Sequence, residues 1–232
     1  MSVKVHVFDN TRDLATQLAA AVAGWLRLAL TERDRASLVV SGGRSPVALF
    51  QLLSLAELDW SRVSVTLADE RWVEPSSAAS NERMVREYLL QAEAAAAEFV
   101  PLKTAELNPD DALVERERAI AAMPRPFDVV VLGMGDDGHT ASLFPESAGL
   151  AAAFDAASAP GLVSITPIHA PHRRISLNLS ALLDSRHIAL QIQGEAKHKV
   201  FERALAGAPS GLLPVAAVLQ QARIPVDVYW AP

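Results

Sequence analysis

The amino-acid sequence predicts an α/β fold in which helices cover both faces of a doubly wound, mainly parallel sheet. Short β-type runs alternate with helical patterns along the whole chain, which is typical of βαβ units. Several runs are continuously apolar, residues 129–131 above all, as expected of strands that are buried on both faces. Because the chain has neither an internal repeat nor a long Pro/Gly/Ser linker, we expect one domain over residues 1–232.

The individual elements are predicted from the spacing of apolar residues. In the first helix, Leu14, Leu18, Val22 and Leu26 recur at the spacing of one helical face. The helix near 109–122 begins with a candidate cap, Asn108, followed by proline at the first helical position. Strands are predicted at 3–8, 37–40, 63–67, 127–132, 162–166, 175–177, 188–192 and 226–229, and helices near 12–33, 46–55, 81–97, 109–122, 195–206 and 214–221.

Composition and charge exclude several classes of protein. The formal net charge is −6 and the basic residues are scattered, so the electrostatic footprint of a nucleic-acid-binding protein is missing. The lack of cysteine excludes a disulfide scaffold, a thiolate zinc site and a cysteine nucleophile. The N-terminus does not resemble an export signal, and segment 14–30 contains Thr16, Gln17 and Arg27, whereas a membrane span needs about 18 uncharged apolar residues. We therefore expect a cytoplasmic protein without nucleic-acid or membrane partners.

The first candidate site segment follows the strand predicted at 37–40. Doubly wound sheets bind ligands beyond the carboxyl ends of their strands, so the segments that follow strands are the places to examine. Residues 41–46, SGGRSP, combine two glycines, two hydroxyls and a helix start, which together favour an anion such as phosphate. The segment matches neither the Walker nor the GxGxxG pattern, and an ordinary turn is the alternative interpretation.

The second candidate segment follows the strand predicted at 63–67. Asp69, Glu70 and Arg71 come at the end of this apolar run, where charged side chains must be solvated, paired with one another or directed at a ligand. A solvated turn with a local ion pair is the alternative, because surface ion pairs are common and weak.

The sharpest signal follows the most apolar run. Residues 133–145, GMGDDGHTASLFP, place three glycines, Asp137 and His139 directly after a strand. Histidine is the side chain best suited to proton transfer near neutral pH, so this histidine is a candidate general base, although an isolated histidine is more often structural. We expect no metal site here, because no second cluster of ligand residues appears in the sequence.

Basic residues in the last third of the chain are candidates for contact with an anion. Arg173 and Arg174 precede a predicted strand, and Lys197 stands at the start of a helix, where a lysine is unfavourable unless an anion lies nearby. Because strand ends of one sheet converge, these residues can meet the earlier segments.

Taken together, the segments SGGRSP, ADERWV, SNERM, GMGDDGHTASLFP and GEAK resemble the 6-phosphogluconolactonases. These enzymes form a branch of a superfamily that also includes the glucosamine-6-phosphate deaminases, and the match covers nearly the whole chain. The resemblance implies a Rossmann-like single domain. It also implies hydrolysis of 6-phospho-D-glucono-1,5-lactone to 6-phosphogluconate, the second step of the oxidative pentose phosphate pathway, with a small-molecule substrate and no cofactor. The oligomeric state is left open, with a monomer as one option.

The same resemblance assigns roles to individual residues. It makes His139 the general base, with Asp137 beside it, and places Arg71 in contact with the substrate, where it is a candidate oxyanion donor. Charge that develops on the lactone carbonyl oxygen needs donors, and the backbone N–H groups of the glycine loop are candidates for this role alongside Arg71. The residues implied in substrate and phosphate binding are Ser41, Gly42, Gly43, Arg44, Asp69, Arg174 and Lys197.

The chain departs from the family pattern in ways that bear on the alternatives. Ser45 stands where the family commonly has Thr, and Glu146 and Ser147 stand where it commonly has Gly and His. The deaminases carry a Glu five residues after the motif histidine, whereas Phe144 stands here and cannot transfer a proton. A non-catalytic sugar-phosphate sensor is the other alternative, but such sensors usually accompany a DNA-binding element that this chain lacks.

Overall fold

The computed structural model describes residues 3–155 and 158–232. In these ranges the strands are β1 (Val3–Val7), β2 (Ala36–Val40), β3 (Val63–Leu67), β4 (Asp69–Arg71), β5 (Glu98–Val100), β6 (Phe127–Gly133), β7 (Leu162–Ile165), β8 (Arg174–Leu177), β9 (Ser185–Gln193) and β10 (Val226–Ala231). The helices are α1 (Thr11–Glu32), α2 (Val47–Ser54), α3 (Asn81–Tyr88), α4 (Pro109–Ala121), α5 (Leu150–Phe154), α6 (Leu179–Leu183), α7 (Glu195–Leu205) and α8 (Val215–Leu219).

Seven strands form the main sheet in the order β1-β10-β9-β6-β2-β3-β5, and every neighbouring pair is parallel. Strands β2 and β3 are buried at every position, and β6 at all but its last residue, because helices cover both faces. From β2 the chain continues to β3 on one side, whereas from β6 it continues towards β9 on the other. The loops after β2 and β6 therefore diverge at a topological switch point, where ligands of such sheets bind.

A second sheet packs beside the first and differs from the prediction. Strands β4, β8 and β7 form one three-stranded antiparallel sheet in that order, so the runs predicted at 162–166 and 175–177 lie outside the parallel sheet. Residues 69–71, for which a solvated turn is the alternative interpretation of the sequence, form a strand in which Glu70 pairs with Ile175 across the ladder. Such long-range pairing leaves little trace in the local sequence.

The prediction of one helix over 81–97 is also wrong, because the observed helix is shorter. The helix α3 ends at Tyr88, and a 3₁₀ helix covers Ala92–Ala96. Ala92 has a φ of 47°, which a right-handed α-helix does not allow, and the Gln91 side chain donates to the carbonyl of Arg86 in the last turn. In α4, Asn108 occupies the cap position, but its side-chain amide binds Asp111 instead of a backbone N–H.

By length and composition alone, helix α1 is apolar enough to cross a membrane, with a mean hydropathy of 1.3, although the composition of segment 14–30 predicted otherwise. Its stripe of Leu14, Leu18, Val22 and Leu26 is fully buried against the parallel sheet. Core helices commonly have this composition, and the stripe matches the predicted helical face.

Candidate active site

A cavity of about 330 Å³ opens at the carboxyl ends of β2, β6 and β9, beside the small antiparallel sheet. The loop after β2 forms one wall, and the loop after β6 forms another. A backbone hydrogen bond of 3.0 Å from Ser41 to the carbonyl of Val131 joins the first loop to β6. The site thus lies at the switch point of the main sheet.

The loop after β2 has the features of an anion cradle. Gly43 has a φ of 108°, a conformation that favours glycine, and Gly42 packs so tightly on the Asn81 side chain that a Cβ would overlap it. The hydroxyl oxygen of Ser41 is buried without a hydrogen-bond partner among the described residues. A buried polar atom without a partner is costly unless a ligand or water satisfies it, so this hydroxyl indicates a bound polar group.

Strand β4 contributes two carboxylates that are held in different ways. The Oδ2 atom of Asp69 accepts a hydrogen bond of 2.5 Å from the Ser142 hydroxyl, and Asp69 lines the cavity. Glu70 is fully buried and accepts hydrogen bonds from the backbone N–H groups of Arg71, Asn81 and Glu82, at 2.6, 2.8 and 2.7 Å. The first two residues of α3 are thereby fixed to the strand that carries Asp69 and Arg71.

The environment of Glu70 explains how its carboxylate is tolerated in the core. Burial raises the pKa of Glu70, and the three backbone hydrogen bonds and the Ser80 hydroxyl oppose that rise. Carboxylates are also favoured at helix N-termini, where Glu70 meets α3. Glu70 therefore organises the site from behind, and it does not line the cavity.

Two arginines face each other across the small sheet. Arg71 pairs with Arg174 in the ladder between β4 and β8, and both line the cavity. Arg71 donates from Nη1 to the Ala79 carbonyl at 2.6 Å, while its Nε is buried without a partner in the described part of the chain. Burial lowers the pKa of Arg174; the negative charge of Asp69 opposes this, and the positive charge of Arg71 adds to it. Like charges placed opposite each other are destabilising, so the pair favours a bound anion.

His139 is held on three sides. Its Nδ1 lies 2.6 Å from the Oδ1 atom of Asp137, and the Phe144 ring packs on the imidazole at a centroid distance of 4.2 Å. Gly135 lies against the Nδ1–Cε1 edge, so closely that a Cβ there would overlap the ring. Burial alone would raise the pKa of Asp137, but hydrogen bonding and charge interaction with His139 hold it below its ordinary value. An ionised carboxylate only accepts hydrogen bonds, so the geometry assigns the proton to Nδ1 and leaves Nε2 as the basic nitrogen.

Comparison with known proteins decides the family. Residues 9–230 match the family described as glucosamine-6-phosphate isomerases/6-phosphogluconolactonase. The chain belongs to this family.

Individual family members are similar to this chain over their whole length. The 6-phosphogluconolactonase of Rhizobium meliloti (strain 1021) is 42% identical over 232 residues, which cover 100% of both chains. That of Pseudomonas aeruginosa is 44% identical over 230 residues, 99% of this chain and 95% of the relative. A crystal structure of a 6-phosphogluconolactonase from Shewanella baltica OS155 has a TM-score of 0.96 and 47% identity, and it covers 99% of this chain and 98% of that chain. The family and the fold predicted from the motifs are confirmed.

The structure brings the family motifs of this chain together in one cavity. Asp137 contacts His139 from outside, so it supports the histidine and does not line the cavity itself. The other predicted site residues all line it: Ser41, Gly42, Gly43, Arg44, Asp69, Arg71, His139, Arg174 and Lys197. Within residues 3–155 and 158–232, no group of three or more His, Asp or Glu side chains is placed to hold a metal ion.

Three further residues belong to the site, although the sequence analysis gave none of them a role in binding. Asn81 lines the cavity, packs on Gly42 and donates to the Asp69 carbonyl at 2.9 Å. Gln191 donates to the Ser45 carbonyl at 3.1 Å and supports the anion cradle from β9. Phe144 lines both the cavity and a second hollow, to which Asp136 and Asp137 also contribute. Two of them had a signal in the sequence that could have identified them: Gln191 is a polar residue within an apolar strand, and Asn81 is a polar residue at a helix start.

Proposed function

We propose that this chain hydrolyses 6-phospho-D-glucono-1,5-lactone to 6-phosphogluconate, the second step of the oxidative pentose phosphate pathway. The observation that carries the proposal is the Asp137-supported imidazole of His139 at the edge of a cavity rich in cationic groups. Full-length relatives that bear the name 6-phosphogluconolactonase support the same activity. We further propose that residues 1–232 act as one cytoplasmic domain.

The chemistry assigned to His139 consists of two proton transfers. The Nε2 atom accepts a proton from water while the water oxygen bonds to the C1 carbonyl carbon of the lactone. The bond between C1 and the ring oxygen then breaks, and the proton on Nε2 passes to the departing oxygen. The products are a hydroxyl group and a carboxylic acid, which ionises in water. Asp137 stabilises the imidazolium that exists between the two transfers.

The remaining cavity residues position the substrate and stabilise charge. The buried Ser41 hydroxyl, Arg174 and Lys197 are suited to hold the phosphate group, which fixes the distance of C1 from the base. Arg71, which lines the cavity, is suited to stabilise the negative charge that develops on the carbonyl oxygen. Phe144 stands five residues after His139, where the deaminases carry a glutamate, and its ring packs on the imidazole; this supports lactone hydrolysis over the deaminase reaction.

The proposed function is tested with freshly generated 6-phosphogluconolactone. Its decay is followed through coupled 6-phosphogluconate dehydrogenase and compared with the spontaneous rate. We expect the wild-type protein to accelerate decay in proportion to its concentration. A rate equal to the background would contradict the proposal, and ammonia release from glucosamine 6-phosphate would then be measured.

Replacing Lys197 by alanine should raise KM about tenfold and leave kcat nearly unchanged, because a charge-assisted hydrogen bond to phosphate contributes about equally to ground and transition states. Steady-state kinetics with the phosphorylated lactone measure both constants. Lys199→Ala is the matched control, because Lys199 lies on the same helix but does not line the cavity. A fall in kcat at constant KM would assign Lys197 to the chemical step instead.

Replacing Asp137 by asparagine should lower kcat about tenfold, because an amide can rotate to donate towards Nδ1 and then stabilises the wrong imidazole tautomer. The effect is smaller than for a fully buried carboxylate, since the Asp137 side chain is 50% exposed. Asp136→Asn removes a neighbouring exposed carboxylate and serves as the control. Equal rates for Asp137→Asn and wild type would contradict the supporting role.

A further inference from the structure

The Phe144 ring contacts two other residues that line the cavity. One contact is with the His139 imidazole, at a centroid distance of 4.2 Å and an interplanar angle of 32°. The other is with Arg174, whose guanidinium carbon lies 5.5 Å from the ring centroid, within the range of a cation–π interaction. The same aromatic ring therefore contacts both the group assigned to proton transfer and a group assigned to the phosphate.

The other contacts of the His139 ring lie at its Nδ1 and Cε1 atoms. Asp137 contacts Nδ1, and Gly135 closely approaches Nδ1 and Cε1. Phe144 adds a contact of a different kind, because its ring packs on the imidazole at a centroid distance of 4.2 Å. This ring–ring contact restrains the orientation of the imidazole in a way that neither Asp137 nor Gly135 does.

Arg174 is restrained on its side of the same ring. It is 5% exposed, and it donates to the carbonyls of His172 and Pro171 at 3.3 and 3.1 Å. These long hydrogen bonds run to the loop immediately before β8, so they tie the guanidinium only to its own segment. A dianion bound to Arg174 would pull the guanidinium into the cavity and change its contact with Phe144.

We propose that Phe144 is a positioning residue that couples occupation of the phosphate site to the orientation of His139. This inference rests on the proposed function and extends it to substrate specificity. Binding energy from a remote part of a substrate can be used to orient the reacting groups. The phosphate then raises kcat as well as lowering KM, and lactones without it are hydrolysed slowly even when they are bound.

The test divides the substrate into two pieces. D-xylono-1,5-lactone is the substrate without its phosphomethylene arm, and phosphite dianion replaces the missing group. Hydrolysis is followed with a pH-indicator dye, above the uncatalysed rate, at increasing phosphite concentration. In the wild-type protein we expect phosphite to raise kcat/KM about tenfold or more, as expected if a remote group drives orientation.

Two variants separate the aromatic face from simple apolar bulk. Phe144→Leu keeps an apolar side chain but removes the flat ring, and we expect less than about twofold activation by phosphite. Phe144→Tyr keeps the ring and should retain most of the activation. Equal activation in Phe144→Leu and wild type would overturn the proposal, and so would the lack of activation in a wild-type protein that hydrolyses the whole substrate.

A spectroscopic measurement keeps the inference distinguishable from the proposed activity. The Hε1 proton of His139 gives an NMR signal that can be assigned by its loss in His139→Ala, and it lies within the ring-current field of Phe144. We expect phosphite to shift this signal in the wild type and in Phe144→Tyr but not in Phe144→Leu. If no lactone is hydrolysed while the shifts follow this pattern, the proposed function fails and the coupling stands. A shift that is identical in Phe144→Leu refutes the coupling.

Discussion

Replacing His139 by alanine is expected to reduce kcat by about 10² to 10⁴-fold, the usual contribution of a general acid–base group. Water in the cavity would then lack the nitrogen that accepts its proton, and the departing ring oxygen would lack its donor. Binding of 6-phosphogluconate should persist, because the phosphate contacts come from other elements. The coupled lactone assay measures the rate, and calorimetric titration measures product binding.

The chain contains a matched control for this substitution. His6 also pairs with an aspartate, through an Nε2 to Oδ1 distance of 2.8 Å to Asp227, but it lies on the edge strand β1 away from the cavity. His6→Ala should therefore leave the rate unchanged. If both His139→Ala and His6→Ala kept the wild-type rate, the general base would have to be another residue of the cavity.

Replacing Gly135 by alanine should lower kcat about a hundredfold without removing any functional group, because a shift of about 1 Å in a reacting group can cost that much. The added Cβ would overlap the imidazole and would lie 2.7 Å from the Oδ1 atom of Asp137. The backbone at this position is not in the left-handed region, so the effect comes from the side-chain contact. Steady-state kinetics should show a lower kcat with little change in KM.

Gly133→Ala provides the comparison for Gly135. It lies two residues earlier, at the end of β6, and a Cβ there would meet no atom within 4 Å. Thermal unfolding of both variants should stay close to that of the wild type, because the overlap at 135 can be relieved by rotation of the imidazole, which is 30% exposed. A wild-type rate in Gly135→Ala would show that the precise position of His139 is unimportant. A low rate in both variants would instead show an effect of added bulk in the cavity, which both glycines line.

The parallel sheet was predictable because its strands have a strong local signal. The continuous apolar run at 129–131 becomes the buried strand β6, and the stripe of Leu14, Leu18 and Val22 becomes the buried face of α1. The ladder between β4 and β8 was not predictable, since it joins residues about a hundred positions apart through backbone hydrogen bonds. Local propensity carries no information about such pairing.

The candidate site was predictable where chemistry and turn residues coincide. His139 and Asp137 stand two residues apart among glycines, so their contact follows from the local sequence. Glu70 was noticed as a charged residue, but its role in holding α3 depends on a helix that starts eleven residues later. Phe144 was considered only for the proton transfer it cannot perform, and its contact with Arg174 depends on the small sheet.

The opposed pair of Arg71 and Arg174 also has a consequence for the evolution of the protein. While no anion is bound, the rest of the fold must hold two positive charges in register on adjacent strands. Asp69 offsets part of that repulsion at Arg174, and each arginine is tied to backbone carbonyls, Arg71 to that of Ala79 and Arg174 to those of His172 and Pro171. A neutral replacement at either position would relieve the repulsion but would also lose these hydrogen bonds and weaken anion binding. The two arginines are therefore constrained together, and a change at one position alters the electrostatic environment of the other.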